Sequence, residues 1–162
     1  MTQNVSPIAR ELVRGAIDIH VHSEPSFFKR SVNDLTLAEG LLESGMAAAV
    51  LKCHAGSTVC RAKNAETHVD AKVPIFGSIV LNYFVGGLNP YAVDAAIHLG
   101  VKIVYMPTIS AHNHIRYYGG STYKAQKSDF DMLDHGRGIE ILDKHGRLKD
   151  SVIDIIDLVA RY

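Results

Sequence analysis

Two histidines separated by one residue stand at the end of an apolar run near the amino terminus. Residues 16–21 are predicted to form a short buried strand, with His20 and His22 at its carboxyl end. Because side chains alternate along a strand, the two imidazoles point to one face, about 6.6 Å apart along the chain. Asp18 lies behind them on that face. Imidazoles at this spacing can bind one metal ion, so the pattern predicts a metal site formed by His20, His22 and Asp18.

A metal held in this way would activate water. Neutral imidazoles suit a divalent cation, and zinc is the first expectation, with manganese or iron as alternatives. The metal lowers the pKa of a water molecule bound at its open coordination position to near 7. The resulting hydroxide then attacks a carbonyl or phosphoryl centre. The competing interpretation is two solvated histidines where a strand meets its loop.

The remaining sequence predicts strands and helices in alternation. The predicted strands are residues 16–21, 47–53, 75–81 and 101–106. The predicted helices are residues 7–13, 36–44, 57–69, 91–99 and 151–162. The strands are apolar throughout rather than alternating with polar residues, which is typical of a parallel sheet covered by helices on both faces. The predicted fold class is therefore α/β, built from parallel βα repeats.

Local signals mark where several helices begin and end. Thr36 and Glu39 fit a capping box, in which each side chain binds a free backbone amide of the first turn. Asn89 followed by Pro90 predicts an N-cap and a first helical residue. Gly45 can adopt the left-handed conformation that ends a helix.

Regular patterning stops after the fourth predicted strand. Residues 108–137 are polar and without periodicity, so they are predicted to form a long loop, a feature that is often functional. Residues 138–142 and 147–148 flank a turn sequence at 143–146, which predicts a small hairpin. A final helix follows over residues 151–162.

Parallel α/β sheets place their sites at the carboxyl ends of the strands. Lys52 and His54 share a face at the end of the second predicted strand. A lysine in an apolar run is costly to bury unless it forms a salt bridge, coordinates or reacts. A salt bridge, for example with Asp18, is the simplest expectation; a substrate anion or a carbamylated metal bridge are alternatives. Glu24 is the carboxylate beside the histidines, and we assign candidate catalytic roles to Lys52, His54 and Glu24.

Further polar residues follow the third and fourth predicted strands. Asn82 lies at the end of the third. His112 and His114 form a second His-x-His motif, in the predicted loop, and Arg116 follows them. These four residues are the candidate substrate contacts, with loop packing as the alternative interpretation.

Composition narrows the class of protein. The 162 residues carry 17 Lys+Arg and 17 Asp+Glu, so the balanced charge favours neither nucleic acid nor an anionic membrane as partner. No apolar run reaches the length of a membrane span. Two cysteines do not make a disulfide framework, which favours the cytoplasm. The length suits one domain, residues 1–162. Since neither nucleic acid nor a membrane is favoured, the expected partner is a small-molecule substrate.

The motif Asp18-Ile19-His20-Val21-His22 resembles the opening motif of the amidohydrolase superfamily of metal-dependent hydrolases. The resemblance extends over residues 17–25, 45–54, 86–92 and 101–114. It implies a TIM-like barrel with one or two metals at its mouth, His20 and His22 being the first two ligands. The family's later ligands have no assignable counterparts here, and a full barrel takes about 250 residues. The chain therefore resembles the amino-terminal half of such a protein, an incomplete barrel with four core strands.

Three functions follow as hypotheses. The first is a metal-dependent hydrolase, or a fragment of one, that cleaves a carbon–nitrogen or ester bond. The second is a histidinol-phosphatase-like metal-dependent phosphoesterase, whose family opens with the Asp-x-His-x-His-Ser pattern found from Asp18 to Ser23. Cys53 departs from the Asp-His pair usual in that family. The third is a non-catalytic half-barrel that binds a ligand or assembles. Unpaired sheet edges in a half-barrel also predict a homo-oligomer.

Overall fold

The computed structural model of the protein describes residues 6–118 and 136–162, which have an α/β architecture. Strands β1 (Ile17–Val21), β2 (Ala48–Leu51) and β3 (Ile75–Phe76) form one parallel sheet in that order. Strands β4 (Ser78–Val80) and β5 (Ile103–Tyr105) form a second parallel pair. The predicted α/β class with parallel strands is confirmed. Within the described residues the strands do not close into a barrel.

The third predicted strand is interrupted at Gly77, which separates β3 from β4. A Cβ atom at this position would lie 2.4 Å from the Cα atom of Val59. Only a residue without a side chain allows so close an approach of two backbones. The single unbroken strand predicted over residues 75–81 is therefore wrong, because a contact with a distant segment divides it.

Two buried hydroxyl groups hold the end of β2 beside this break. Thr58 Oγ1 donates to the carbonyl oxygen of Leu51 at 2.7 Å and accepts from the backbone amide of Ser78 at 2.8 Å. Ser78 Oγ donates to the same Leu51 carbonyl at 2.6 Å. These bonds satisfy backbone groups that the interrupted sheet would leave unpaired. They also fix the point from which Lys52 and the residues after it leave the sheet.

Six α-helices lie in the described residues. They are α1 (Pro7–Val13), α2 (Asp34–Ser44), α3 (Val59–His68), α4 (Pro90–His98), α5 (His112–Tyr118) and α6 (Asp150–Ala160). Helices α2 and α3 pack on the first sheet through small and branched side chains. That core consists of Ala38, Leu41, Ala49, Leu51, Ala62, Ala65, Val69, Val73 and Ile75. The small alanine side chains allow the two helices to approach the strands closely.

Most predicted helix ends are confirmed. The Asn89 side chain accepts hydrogen bonds at the start of α4, and Pro90 is its first residue. Gly45 ends α2 with a φ of 70°. The capping box at Thr36 is wrong, because α2 begins two residues earlier. Its N-cap is Asn33, whose side-chain oxygen accepts from the backbone amide of Thr36 at 2.9 Å.

The predicted loop over residues 108–137 is wrong over α5, and residues 119–135 of it lie outside the described residues. Helix α5 is short and buries only Ile115, so it leaves almost no periodic signal. The predicted hairpin is reduced to a single antiparallel bridge between Leu142 and Leu148.

Helix α6 confirms the predicted final helix and packs mainly against α4. Ile155, 2% exposed, contacts Leu81 and Val93, while Ile156 is 49% exposed. No helix in the described ranges has the length and apolarity needed to cross a membrane.

Candidate functional site

Three histidine rings meet at the carboxyl ends of β1 and β2. The ring centroids of His20 and His22 are 5.3 Å apart, and those of His22 and His54 are 4.9 Å apart. The first two rings come from the end of β1, and the third comes from the turn that follows β2. The structure thus brings together the histidines that the strand pattern placed at neighbouring strand ends.

An irregularity in β1 sets the position of the first ring. The register of β1 against β2 shifts between Asp18 and Val21, so β1 carries one extra residue in this interval. Such a bulge turns the neighbouring side chains away from strict alternation. The Asp18 carboxylate accepts a hydrogen bond from the backbone amide of His20 at 2.8 Å. Asp18 therefore supports the local backbone, and its predicted role as a metal ligand stays a prediction.

Asn82 and Thr108 hold the third ring. The Nδ1 atom of His54 lies 3.2 Å from Thr108 Oγ1. Asn82 is fully buried; its Nδ2 donates to the His54 carbonyl and to Thr108 Oγ1, both at 3.2 Å. Its Oδ1 accepts from the backbone amides of Thr108 at 2.9 Å and Ser110 at 3.2 Å. Both the oxygen and the nitrogen of the Asn82 amide thus form hydrogen bonds within the protein. Its predicted role as a substrate contact stays a prediction.

All three rings sit in an environment that disfavours the protonated form. Burial, followed by the positive charge of Arg30, lowers the pKa of His22 to about 4. Burial and then Lys52 lower the pKa of His54 to about 3. The pKa of His20 is lowered for the same two reasons as that of His54, although Asp18 opposes the shift. Neutral imidazole is the form that can bind a metal ion or accept a proton.

Lys52 lies beneath these rings. It is 4% exposed, and its Nζ atom lies 4.9 Å from the centre of the Tyr105 ring. The ring of Tyr105 is in turn 5.6 Å from that of His20, and its hydroxyl donates to the carbonyl of Ile19. Burial, and then the charge of Arg30, lowers the pKa of the Lys52 ammonium. The salt bridge expected between Lys52 and Asp18 is not formed.

Glu24 has a structural contact in the loop after β1. Its Oε1 atom accepts from the backbone amide of Arg30 at 3.1 Å, and its own amide donates to the carbonyl of Val32 at 2.9 Å. The Arg30 guanidinium lies 5.6 Å from the centre of the Phe28 ring, and its Nε donates to Ser26 Oγ at 3.3 Å. Glu24 thus positions Arg30, and its predicted catalytic role stays a prediction.

The second His-x-His motif lies on α5. His112 Nδ1 is 2.6 Å from the carbonyl oxygen of Arg137 and 3.5 Å from the carboxylate of Glu140. The ring of His114 packs 4.7 Å from that of Tyr118, and burial lowers its pKa. Arg116 is exposed. In the described residues, no hydrogen bond, ion pair or ring contact joins His112 or Arg116 to the three-histidine cluster.

A separate cavity of about 360 Å³ adjoins this second motif. It lies between the end of β5, the start of α5 and the segment before the Leu142–Leu148 bridge. Its lining is formed by Met106, Pro107, Ala111, His112, Asn113, Ile139, Glu140, Ile141 and Leu142. His112, Asn113 and Glu140 contribute the polar groups of an otherwise apolar lining.

Sequence reasoning did not assign roles to Tyr105, Thr108 or Arg30. Tyr105 and Thr108 follow the same rule that found the histidines, since both stand at the carboxyl end of a strand. Arg30 carries no such signal. Its place beside the rings depends on how the loop after β1 folds back.

The spacing of the rings can be compared with that of a metal site. Two imidazoles bound to one tetrahedral ion have centroids about 5 Å apart, close to both observed separations. Over residues 6–118 and 136–162, however, no group of three or more His, Cys, Asp or Glu side chains is arranged to hold a metal ion. A site that uses all three histidines would therefore require a change in side-chain conformation.

The chain belongs to a family of unknown function, DUF6282, whose profile matches residues 15–162. The match begins just before β1 and includes every residue of the candidate site. None of the curated proteins compared with the chain matches it.

Proposed function

We propose that the protein is a metal-dependent hydrolase in which His20, His22 and His54 hold a divalent cation, most simply zinc. The observation that supports this proposal is the succession of three imidazole rings at 5.3 and 4.9 Å across the ends of two parallel strands. A bound cation would polarise water and supply a nucleophile near neutral pH. The proposed substrate is a small molecule with a carbon–nitrogen or ester bond.

The chain's own groups have separate roles in this proposal. Thr108 occupies Nδ1 of His54 and so leaves Nε2 to bind the cation or to exchange a proton with the reacting group. Asn82 fixes the backbone of His54 and the hydroxyl of Thr108 at once. Groups that orient a ligand in this way commonly change metal affinity by about 10–100-fold when removed.

The proposed architecture is the amino-terminal half of a TIM-like barrel of the amidohydrolase type. Its support is the chain order of the parallel strands and the cluster at their carboxyl ends, where barrel enzymes carry their sites. Ile17 and Ile19 on the edge strand β1 are 59% and 60% exposed, which favours a homo-oligomer. Two free cysteines favour the cytoplasm.

A metal-dependent phosphoesterase is the second candidate. It would use the same histidines, and the positive charges of Lys52 and Arg30 beside them favour an anionic substrate.

Metal content and substrate range test the proposal together. Purified protein, dialysed against zinc or manganese, is expected to retain about one ion per chain, and the double variant His20→Asn/His22→Asn almost none. His145→Asn, in an exposed turn, is the matched control. A panel of lactones, amides and phosphomonoesters then separates the two hydrolase candidates. If the wild-type protein binds no metal and hydrolyses none of these substrates, both hydrolase candidates are wrong and the non-catalytic half-barrel is the remaining hypothesis.

A further inference from the structure

Lys52 is a buried cation for which the described residues provide no counter-ion. Its side chain is 4% exposed, and the ion pairs of the described residues all involve other cations. Its Nζ atom lies over the face of the Tyr105 ring, 4.9 Å from the ring centre. A cation–π contact offsets only part of the cost of removing an ammonium group from water. Such a group is normally paired, so its environment calls for an anion.

Arg30 is a second cation beside the histidines, and no ion pair joins it to a carboxylate within residues 6–118 and 136–162. Its guanidinium is half-buried over Phe28, whose ring lies 5.9 Å from that of His54, and its Nε donates to the hydroxyl of Ser26. Its charge acts on His22, His54 and Lys52. Arg61 nearby is different, because two of its nitrogens bind the Asp34 carboxylate at 2.8 Å. Among the described residues, Arg61 is thus paired with a carboxylate, whereas Lys52 and Arg30 are not.

We infer that Lys52 and Arg30 form a subsite for an oxyanion of the substrate, a carboxylate or a phosphate group, beside the three histidines. Both side chains are donors that no carboxylate of the described residues binds, and Arg can bind an oxyanion through two parallel hydrogen bonds. The subsite deepens the proposed function and rests on it only in taking the bound group to be part of the hydrolysed molecule.

The charges of Lys52 and Arg30 should also affect metal binding, and in a direction that a purely structural role of these residues would not produce. Two cations next to the histidines repel a divalent cation, and an oxyanion bound between them offsets that repulsion. Removing the charge of Lys52 should therefore weaken binding of the anion and strengthen binding of the metal. A substitution that merely disturbs the fold would weaken both.

Calorimetric titration of the full chain tests the inference in two separate experiments. Metal-free protein is titrated with inorganic phosphate and with acetate, and then zinc is titrated in phosphate-free buffer. In Lys52→Met and Arg30→Gln, we expect the Kd of the preferred anion to rise at least about tenfold. In Lys52→Met, we expect the Kd of zinc to fall about three- to tenfold. Lys102→Met, an exposed lysine before β5, should match the wild type in both.

Each outcome has a defined meaning. The phosphate and acetate arms decide which oxyanion the subsite takes. Loss of both anion and zinc binding in Lys52→Met, or anion binding that survives in both variants, would overturn the inference, as would a wild type that binds neither anion. If zinc fails to bind while anion binding depends on Lys52 and Arg30, the subsite stands and the proposed hydrolase fails. Thermal unfolding shows whether each variant is folded. If Lys52→Met does not fold, anion binding by Arg30→Gln still tests the inference.

Discussion

The chain contains the motif His-x-His twice, and the structure places the two copies in different secondary structure. His20 and His22 belong to the end of β1, and their rings lie 5.3 Å apart beside a third histidine. His112 and His114 belong to α5, where one ring contacts Arg137 and Glu140 and the other contacts Tyr118.

The difference follows from backbone geometry. Residues two apart point to the same side of a strand, but they lie roughly 200° apart around a helix axis. The same His-x-His sequence therefore brings two imidazole rings together on the strand and separates them on the helix. A metal-binding motif has meaning only together with the element that carries it.

The largest expected contrast is in metal affinity. His20→Asn/His22→Asn should weaken zinc binding by more than about 100-fold, because it removes two of three donors. His112→Asn/His114→Asn should change it by less than about threefold. Competition with a chromogenic chelator measures both. Equal losses in the two double variants would show that the second motif contributes to the same site.

The next contrast is in stability. Asn82→Ala should lower the free energy of unfolding by about 2–4 kcal/mol, because the partly buried amide of Thr108 and the buried amide of Ser110 lose their acceptor. Asn113→Ala, at the exposed centre of the second motif, should cost less than about 0.5 kcal/mol. Urea denaturation compares the two. A small effect of Asn82→Ala would mean that the third histidine is held in some other way.

Acid should destabilise the first site. The pKa values of His22 and His54 are about 4 and 3 in the folded protein, against 6.5 for an unperturbed histidine. Below about pH 6.5 the unfolded chain therefore binds protons that the folded rings do not, and stability falls as the pH approaches the folded values. Both rings are partly open to solvent, which screens their charges. We therefore expect the free energy of unfolding to fall by about 1–2 kcal/mol between about pH 7 and pH 4.5.

Denaturation of metal-free protein at several pH values measures this dependence. His22→Gln/His54→Gln should show a shallower loss over the same range, since glutamine does not titrate. Identical slopes for variant and wild type would assign the acid sensitivity to carboxylates elsewhere.

The smallest effect concerns the ion pair of the second motif. Glu140→Gln removes the carboxylate 3.5 Å from His112, and both side chains are partly exposed. We expect a loss of about 0.3 kcal/mol in stability and an unchanged zinc affinity. A loss above about 1 kcal/mol would indicate that this pair anchors α5.

Much of the site could be predicted because its signals are local. Apolar runs identified the parallel strands, and period-two alternation found His20 and His22 together with Lys52 and His54. Asn89 and Gly45 marked helix ends through hydrogen bonds and backbone conformations that involve only their neighbours. The capping box at Thr36 was wrong because Asn33 competes for the same free amide. The loop prediction was wrong over α5, since one buried side chain gives no periodicity.

Residue types and spacing thus located the strand ends and the histidines, because alternation and capping depend on backbone geometry over a few residues. Tertiary packing alone decided that Gly77 divides a strand, that Tyr105 rather than Asp18 contacts Lys52, and that Arg30 lies over Phe28 beside the histidines. These contacts join segments far apart in the chain. They depend on which side chains meet once the core has packed. Steric preferences between neighbouring residues do not determine those contacts.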